Sequence, residues 1–412
     1  MTRLKIGVMV HSLKRQRISY STMVIPSFIL LCMVLLSPFY LLESELSSTS
    51  EPPQPQLSIR EPPRAYFNRF IPQEILSQVL NLRHNAVANH IPCGKEPLKS
   101  LSGNQPKEFD AKYSLKPVYT CGEIPFYFHP HTWESHLKGR LFDRIRSHNL
   151  TECTFVGLDV GAARGDWAIA VGVQHSQSNM VVVEANPTVF QQMTQDIEMN
   201  HGLTERVFSY NAAVKSDASF FGFFQSKGGN TTNTTAHHPG TAWNGPKMCV
   251  ESAGTTGVMI TNKDTSTSSD TIECTHGEVV VPILTVDVVM SDYWTNTTTS
   301  QIGGNFFFAK LDIEGAEYDA LLGAKSVFSS KEMRPCYVYI EIKVDSAYDR
   351  AFHLLKDMYG YAEYQDIDSG LSGDSSYPPR GAKHPNEGNY EFRLPAQEME
   401  KCVKRVRKQS CH

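Results

Sequence analysis

Three acidic residues stand at the ends of apolar segments that have the length of a β-strand in this 412-residue sequence. Asp159 follows "FVGL", Glu184 follows "NMVVV", and Asp312 follows "NFFFAKL". In an open α/β sheet, ligands bind beyond the carboxyl ends of the strands, near the point where the strand order reverses. One such acid is most simply a helix cap or a surface charge. The coincidence of three predicts a shared ligand site lined by carboxylates.

The turn after Asp159 contains two glycines, Gly161 and Gly165, and glycine lets the backbone approach a ligand without an intervening side chain. It lacks the middle glycine of the dinucleotide fingerprint G-x-G-x-x-G, and no G-K-[ST] of a P-loop follows. Asp159 would repel a pyrophosphate, but it suits a ligand with a cationic group. Glu184 stands near the usual place of a carboxylate that binds ribose hydroxyls, about 20 residues beyond such a turn. S-adenosylmethionine has a sulfonium, an ammonium and a ribose, and is therefore the predicted cofactor.

The segments that must position these residues alternate between strand-like and helix-like patterns from residue 152 onward. Strands are predicted at "TFVGLDV", "NMVVVEA" and "RVFSYNAAV". Helices are predicted at "GDWAIAVGVQH" and at "PTVFQQMTQDIEMNHG", whose proline suits a first turn and whose glycine suits a helix end. Farther along, "GEVVVPILTVDVVM", "NFFFAKL" and "CYVYIEIK" have strand character, and an amphipathic helix follows the acidic turn after the second of them. This alternation predicts parallel strands in a doubly wound α/β sheet.

Six short segments occur in an order that resembles one family of enzymes. They are "LDVGAARGDWA", "VVVEANP", "NAAV", "VPILTVDVV", "KLDIEGAEYDALLGA" and "YIEIK". Over about residues 152–345, they resemble the FkbM-type family of S-adenosylmethionine-dependent O-methyltransferases. The resemblance implies the class I methyltransferase (Rossmann-like) fold, an α/β doubly wound and mostly parallel sheet, with a final antiparallel strand after "CYVYIEIK". It also implies methyl transfer to a hydroxyl group, often on a sugar or a polyketide product.

The residues predicted to bind the cofactor are Asp159, Gly161, Ala162, Gly165, Glu184, Ala212 and Asp312. Asp159 would face the ammonium of the cofactor, directly or through water, and Glu184 would bind the ribose hydroxyls. Ala212 and Ala213 follow the third strand, where the adenine edge lies in this fold, although core packing explains them equally well. The turn departs from the family's D-x-G-A-N at Ala163, which stands in place of the asparagine. That departure predicts a weaker hold on the amino-acid end of the cofactor.

The acidic turn after "NFFFAKL" offers candidates for catalysis. Methyl transfer is an in-line displacement at carbon, in which positioning supplies much of the rate. A sugar hydroxyl is a poor nucleophile at neutral pH, so a base should lie within hydrogen-bond reach of it. The predicted candidates for the base are Asp312, Glu314 and Glu317. Lys310 or Lys343 would stabilise negative charge nearby. Alternatively, Glu317 lies on the helix surface and Lys310 pairs with a neighbouring acid.

A histidine-rich segment, "FHPHTWESH", precedes the first predicted strand and offers possible metal ligands or a proton acceptor. These are His129, His131, Glu134 and His136. Histidines scattered in a loop are more often structural or solvated. Asp312 and Glu314 could also bind a divalent ion that ionises a hydroxyl, but the resemblance does not require one. No metal ligand is therefore predicted.

The N-terminal region has the pattern of a membrane anchor. Five Lys and Arg residues precede residues 18–42, which carry no charge, and Glu43 follows. As a helix this segment would span about 37 Å, enough to cross a hydrocarbon core of about 30 Å with tilt. The positive charges place the N-terminus in the cytosol and the rest of the chain in the lumen, as in a type II signal anchor. A cleaved signal peptide is the alternative, but its apolar region runs only about 7–15 residues, and "LLSPFYLLES" is a poor cleavage site.

Two further features favour a lumenal location. N-glycosylation sequons begin at Asn149, Asn230, Asn233 and Asn296. Eight cysteines lie outside the apolar segment, an even number that suits up to four disulfides, with a connectivity that the sequence does not reveal. No C-x-x-C pair indicates zinc. We therefore expect a glycoprotein of the Golgi or endoplasmic reticulum membrane.

The predicted organisation has six consecutive parts. They are a cytosolic tail at 1–17, a transmembrane anchor at 18–42, a Pro- and Ser-rich stem at 43–65, a cap segment at 66–151, a methyltransferase domain at 152–365 and a C-terminal extension at 366–412. Within the domain, residues 226–276 are rich in Ser, Thr and Asn and are interpreted as a surface insertion, either a lid or a glycosylated loop.

The predicted function is S-adenosylmethionine-dependent O-methylation of a glycan or glycoconjugate hydroxyl in the secretory pathway. A type II lumenal glycosyltransferase that uses a nucleotide sugar is an alternative, because Asp312 and Glu314 resemble its D-x-D acid pair, but Asp159 would repel the diphosphate. A methyltransferase-like domain that only binds a partner is another alternative, and Ala163 favours it. The net charge of -4 gives no indication of nucleic-acid binding. The oligomeric state is not predicted.

Overall fold

The computed structural model describes residues 71, 73–84, 118, 133–216, 246–251, 274, 278–296, 306–343, 346–367, 372–374 and 387–410. The predicted cytosolic tail, anchor and stem lie outside these residues, as do most of the predicted insertion and the side chains from His129 to His136. None of the helices in the described ranges has both the length and the apolar character that a membrane span requires.

Strands and helices alternate along the described chain, as the sequence predicts. The described strands are β1 (Val156–Val160), β2 (Asn179–Glu184), β3 (Val207–Asn211), β4 (Ala213–Val214), β5 (Lys247–Glu251), β6 (Glu278–Leu284), β7 (Phe306–Leu311), β8 (Tyr337–Lys343), β9 (Glu363–Asp366), β10 (Ser372–Asp374) and β11 (Glu387–Arg393). The described helices are α1 (Gln73–His84), α2 (Trp133–Ser147), α3 (Asp166–Gln174), α4 (Pro187–Met199), α5 (Val286–Asn296), α6 (Glu317–Leu322), α7 (Lys325–Ser329), α8 (Ser346–His353) and α9 (Ala396–Ser410). A π-helical turn, Leu354–Met358, continues α8.

Eight of the described strands form the main sheet, in the order β10-β9-β11-β8-β7-β1-β2-β3. The five strands from β8 to β3 in that order are parallel, and β11 runs antiparallel to both of its neighbours, β8 and β9. This confirms the predicted doubly wound α/β sheet of the class I methyltransferase type, including the antiparallel strand after "CYVYIEIK". The strand order reverses between β1 and β7, and such a switch point is where these sheets bind ligands.

The central strands are buried on both faces. Every residue of β1, β2 and β7 is buried, which explains why their sequences are continuous apolar runs without alternation. The helices between them carry recognisable ends. Helix α4 begins at Pro187, as predicted, after Asn186, whose Oδ1 accepts the N–H groups of Thr188 and Val189.

Segments on both sides of the predicted domain belong to the same hydrophobic core. Ile75 and Val79 of α1 and Leu141 and Ile145 of α2 are buried in that core together with the sheet. Beyond the predicted boundary at 365, β11 inserts between β8 and β9. The folded unit therefore extends past both predicted boundaries of the domain.

The segment "GEVVVPILTVDVVM" is not a single strand. Its first half is β6 and its second half begins α5. The change occurs at Thr285, whose Oγ1 accepts the N–H of Val288 at 3.1 Å, as a helix N-cap does. Asp287 in the first turn of α5 then accepts the N–H groups of Ser326 and Val327 at 2.7 and 2.9 Å, which fixes the start of α7.

Two other segments also differ from the prediction. The amphipathic helix predicted after the acidic turn is divided into α6 and α7 at Gly323, where a Cβ would lie 2.2 Å from Lys215 O. The described part of the predicted insertion contains β5, which pairs antiparallel with β6 in a second sheet of order β4-β6-β5. That part of the insertion is therefore a strand of a sheet.

Disulfide bonds join elements that are distant in sequence. The described structure contains Cys249–Cys274, which attaches β5 to the segment before β6, and Cys336–Cys402, which attaches α9 to the residue before β8. Cys153 is disulfide-bonded as well. These pairings depend on the fold, so the cysteine spacing alone could not supply them.

Candidate active site

The turn that joins β1 to α3 runs from Gly161 to Gly165 and has an unusual backbone. Gly161 (φ 76°), Ala163 (φ 48°) and Gly165 (φ 74°) all adopt the left-handed conformation. The N–H of Gly161 donates to Val183 O at 2.9 Å, so the turn lies across the end of β2. A Cβ on Gly161 would lie 1.7 Å from Asp312 O. Glycine is therefore required at this position by the backbone conformation and by the close approach of the chain after β7.

Two ion pairs hold this glycine turn from outside. Arg164 Nη2 lies 2.6 Å from Asp196 Oδ2 of α4. Lys138 of α2 contacts Asp166, the first residue of α3. The side chains of Asp196 and Lys138 are fully buried. The predicted cap segment thus contributes to the geometry of the turn through Lys138, which is not among the predicted site residues.

Ala163 is the residue that replaces the family's asparagine. The left-handed conformation costs a residue with a Cβ about 1–2 kcal/mol, and asparagine tolerates it better because its short side chain can bond locally. In this chain the N–H of Ala163 donates to Glu184 Oε2 at 2.9 Å. That bond helps to hold the turn in a conformation that alanine alone disfavours.

Glu184, the last residue of β2, is 6% exposed. Its Oε2 accepts the N–H of Ala163, and its Oε1 accepts the N–H of Asn186 at 2.7 Å. Burial raises the pKa of Glu184 to about 7, although these two bonds and the charge of Lys310 act in the opposite direction. Each carboxylate oxygen has two acceptor sites, so each can accept one further hydrogen bond. That capacity fits the two hydroxyls of a ribose.

Asp159 and Lys310 are cross-strand partners on β1 and β7. Asp159 is fully buried. Lys310 Nζ lies 3.6 Å from Asp159 Oδ1, 3.2 Å from Asp312 Oδ2 and 3.3 Å from Gly161 O. The predicted pairing of Lys310 with a neighbouring acid is confirmed. An ammonium group of the protein thus lies beside Asp159, where the sequence predicts the ammonium of the cofactor.

The acidic turn between β7 and α6 is closed by Glu317. Its Oε1 accepts the N–H groups of Ile313 and Gly315, both at 3.0 Å. Glu317 is 4% exposed, and burial raises its pKa to about 7. The alternative that Glu317 lies on the helix surface is therefore wrong. Because Glu317 is 4% exposed and its hydrogen bonds go to the backbone of its own turn, it is better explained as a support for the turn than as the base.

Three carboxylates meet at the rim formed by β7 and β8. One oxygen from each of Asp312, Glu314 and Glu341 lies within 4.8 Å of the others. Leu311 pairs with Ile340 across the two strands, so the residues that follow them, Asp312 and Glu341, are neighbours. Such a group can accept a proton or hold a divalent cation. Glu341 is not among the residues predicted from the sequence, although its place near the end of "CYVYIEIK" matches that of Asp312 after "NFFFAKL".

Ala162 and Ala212 are buried close to Glu184. Ala162 lies in the glycine turn, and Ala212 follows β3, where its N–H donates to Glu184 O at 3.2 Å. Asn211 Nδ2 donates to the carbonyl oxygens of Glu184 and Ala185 at 2.9 and 3.1 Å, which joins the ends of β2 and β3. Core packing therefore accounts for Ala212, and its place beside Glu184 also agrees with a position along the bound adenosine.

The structure thus brings the predicted residues to one edge of the sheet, around the switch point between β1 and β7. The glycine turn, Glu184 and the acidic turn meet there, and Lys310 joins the two turns. The side chain of Lys343 lies outside the described structure. A buried carboxylate with acceptor sites to spare, beside a turn of glycines and alanines, fits a donor that carries a ribose.

Comparison with known families agrees with this geometry. The family model described as the methyltransferase FkbM domain matches residues 159–368, just over half of the chain. The glycine turn, Glu184, the acidic turn and Glu341 all lie within the matched residues. No curated protein matches the chain.

Several solved methyltransferase structures resemble part of this chain. The catalytic domain of hMettl16 in complex with the MAT2A 3'UTR hairpin 6 is 10% identical, with 69% of this chain and 77% of that chain covered and a TM-score of 0.30. Precorrin-6y C5,15-methyltransferase from Geobacter metallireducens GS-15 is 7% identical, with coverages of 61% and 88% and a TM-score of 0.26. The StiE O-MT, residues 961–1257, is 7% identical, with coverages of 80% and 95% and a TM-score of 0.28. The fold described above follows from the strand order and not from these scores.

Proposed function

This chain belongs to the FkbM methyltransferase family, and we propose that it methylates a hydroxyl group of a glycan or glycoconjugate in the secretory pathway. Its cofactor is S-adenosylmethionine, whose sulfonium supplies an activated methyl group. The observation that carries the proposal is the group of three carboxylates at the rim of β7 and β8, which Lys310 joins to the glycine turn. Methyl transfer to oxygen needs a proton acceptor beside the donor site, and the two lie together here.

On the donor side, the residues of the chain bind and orient. Glu184 would hold the ribose through the acceptor site that remains on each of its oxygens. Gly161 and Gly165 let the turn pack closely against Asp312 and Met193 in a left-handed backbone conformation, which fixes its position beside Glu184. Because Glu184 is buried, its hydrogen bonds to a ligand form in surroundings of low dielectric, where they are stronger than in water.

On the acceptor side, the proton of the hydroxyl must move to a carboxylate. The side chain of Asp312 is 21% exposed, and Lys310 holds it at 3.2 Å. Glu314 and Glu341 have oxygens within 4.8 Å of it, so a hydroxyl that reaches one carboxylate also reaches the group. A rim held rigidly by Glu317 and Lys310 suits a reaction in which positioning supplies much of the rate.

The disulfides and one sequon support the secretory pathway. Cys249–Cys274 and Cys336–Cys402 are of a kind that forms in oxidising compartments. Asn149, which begins a sequon, is exposed in the turn after α2, where a glycan can be attached. Together with the predicted type II anchor, these features favour the Golgi or endoplasmic reticulum membrane.

Mass spectrometry of cell-surface glycans tests the proposal. Cells that contain the wild-type chain should carry a glycan with an added methyl group, which should disappear when the chain is deleted. Re-expression of Glu341→Gln should not restore it, because a carboxylate of the rim is lost. Re-expression of Glu332→Gln is the matched control and should restore it, since Glu332 is an exposed acid before β8.

The same experiment separates the alternatives. If deletion of the chain leaves the cellular glycan profile unchanged although the purified chain binds S-adenosylmethionine, the proposal is contradicted. That result would favour a domain that only binds. A titration of S-adenosylmethionine against nucleotide sugars tests the glycosyltransferase alternative, which the family assignment does not support. Binding of a nucleotide sugar in place of S-adenosylmethionine would overturn the proposal.

A further inference from the structure

Lys310 is the buried cation at the centre of the candidate site. It is 3% exposed, and its ammonium lies close to oxygens of two different segments of the chain. Asp159 Oδ1 and Gly161 O belong to β1 and the turn after it, and Asp312 Oδ2 belongs to the turn after β7. These two segments form the two sides of the switch point, so one ammonium holds both.

Asp159 lies deeper in the protein than Asp312. It is fully buried, whereas the side chain of Asp312 is 21% exposed. The sheet register pairs Asp159 with Lys310. Both lie on the same face of the sheet as Asp312, which follows Lys310 by two residues in the direction of the rim. The ammonium of Lys310 lies between Asp159 and Asp312. Asp159 can therefore affect the rim by orienting Lys310.

We propose that Asp159 and Lys310 are positioning residues: their buried ion pair holds the glycine turn in its donor-binding conformation, and Asp159 does not contact the donor. The carboxylate orients the ammonium of Lys310, and the ammonium holds Gly161 O and Asp312. This inference rests on the binding of S-adenosylmethionine and not on the identity of the acceptor. It assigns Lys310 to the support of the turn, and it replaces the direct contact between Asp159 and the cofactor ammonium that the sequence predicts.

The physics of buried ion pairs gives a test with single and double variants. Removal of one partner leaves a buried charge without compensation, whereas removal of both leaves none. Lys310→Met should weaken binding of S-adenosylmethionine about tenfold, because the ammonium that holds Gly161 O and Asp312 is lost. Asp159→Asn should weaken binding by a similar factor, and because Asp159 acts through Lys310, the double variant should bind no more weakly than Lys310→Met. Isothermal titration calorimetry on the purified full chain measures these affinities.

A second readout distinguishes positioning from packing alone. Burial raises the pKa of Glu184 to about 7, the charge of Lys310 lowers this pKa, and the charge of Asp159 raises it. The pH midpoint of S-adenosylmethionine binding should therefore rise in Lys310→Met and fall in Asp159→Asn. The double variant should return near the wild-type midpoint. A residue that only fills space would not shift the midpoint in opposite directions.

Arg144→Met is the control for the loss of an ion pair to a buried acid on the sheet. Arg144 Nη2 lies 2.7 Å from Glu391 Oε1, and Glu391 belongs to the same row across the sheet as Lys310, with Tyr339 between them. The control should lower the thermal unfolding midpoint, as the single variants do, without a change in the pH midpoint of binding. All variants should keep a cooperative unfolding transition, which shows that they fold.

Two results would overturn the proposal. A double variant that binds markedly more weakly than Lys310→Met would show that Asp159 contacts the donor itself. Tighter binding by Lys310→Met would show that Asp159, once its partner is removed, attracts the cationic donor directly. If the wild-type chain binds S-adenosylmethionine but methylates no glycan, the proposed function fails while this inference remains testable on binding alone.

Discussion

The glycine turn after β1 and the acidic turn after β7 have two structural features in common. In each, a residue with a side chain, Ala163 (φ 48°) or Glu314 (φ 57°), adopts the left-handed conformation near a glycine. In each, a buried glutamate accepts two backbone N–H groups, and burial raises its pKa to about 7. These two glutamates are Glu184 and Glu317.

The two glutamates differ in the range of their contacts. Glu317 accepts both N–H groups at Oε1, from residues two and four positions before it. Glu184 accepts one at each oxygen, and Ala163 lies 21 positions away beyond a different strand. The local glutamate closes its own turn, whereas the long-range one joins two strand ends and keeps an acceptor site on each oxygen. Similar turns can therefore serve different tasks: one presents a ligand-binding carboxylate, and the other positions Asp312 and Glu314.

Among the variants that test the difference between the two turns, Gly161→Ala should have the largest effect on donor binding and stability. The added Cβ would lie 1.7 Å from Asp312 O in a left-handed backbone, so the turn and the end of β7 would have to separate. We expect no measurable binding of S-adenosylmethionine by calorimetry and a loss of about 3 kcal/mol or more in the free energy of unfolding. Gly315→Ala is the control from the acidic turn, since its φ is 103° but no atom lies within 4 Å of the added Cβ. It should cost about 1–2 kcal/mol and retain binding; equal losses of binding in both variants would contradict the comparison.

The pH dependence of stability tests whether both glutamates are buried as described. Because burial raises the pKa of Glu184 and of Glu317 from 4.5 to about 7, the folded chain binds more protons than the unfolded chain between these values. The free energy of unfolding should therefore decrease as pH rises through this window, by about 3 kcal/mol for each glutamate. Urea unfolding should show a decrease about half as large in Glu317→Gln. An identical decrease in the variant would mean that Glu317 does not titrate as a buried group.

Ligand binding should separate the two glutamates. Glu184→Gln keeps the size of the side chain but replaces one acceptor oxygen with a donor. Because hydrogen bonds to a charged group contribute about 1.5–3 kcal/mol, we expect binding of S-adenosylmethionine to weaken about tenfold or more. Wild-type affinity should also fall as pH decreases below about 7, as Glu184 takes up a proton. Glu317→Gln should bind within about twofold of wild type while methyl transfer decreases, because the turn that holds Asp312 is loosened. Equal effects on binding would show that the two glutamates share one role.

Much of the fold could be predicted from the sequence because its signals are local. The fully buried strands β1, β2 and β7 appear as continuous apolar runs, and α4 shows its asparagine cap and its proline in the sequence. The boundary between β6 and α5 is harder to predict, since the apolar run continues through it and the hydroxyl of Thr285 is the one local sign. The antiparallel β11 is predicted from the family resemblance, because its own sequence is polar.

The site was predictable in part for a related reason. The end of each strand can be read from the sequence, so Asp159, Glu184 and Asp312 are correctly expected at one edge of the sheet. The neighbour of each residue depends on strand order and register, which are long-range properties. The sequence therefore predicts a cofactor ammonium beside Asp159, where the structure places Lys310, and it does not reveal Glu341 beside Asp312.

The smallest effects are expected from substitution of the two left-handed residues, Ala163 and Glu314. These substitutions test the backbone strain that the two turns have in common. Ala163→Asn should raise the free energy of unfolding by about 0.5–1 kcal/mol and the thermal midpoint by about 1–4 °C, because asparagine tolerates this conformation better. Its N–H still donates to Glu184, so binding of S-adenosylmethionine should not weaken. Glu314→Asn should give a similar gain in stability for the same reason, but it removes a carboxylate from the rim and should lower methyl transfer. A gain in stability in both variants would mean that both turns carry backbone strain. A loss of methyl transfer in Glu314→Asn alone would mean that the proton acceptors belong to the acidic turn. No gain at Ala163 would mean that the bond to Glu184 already removes the strain.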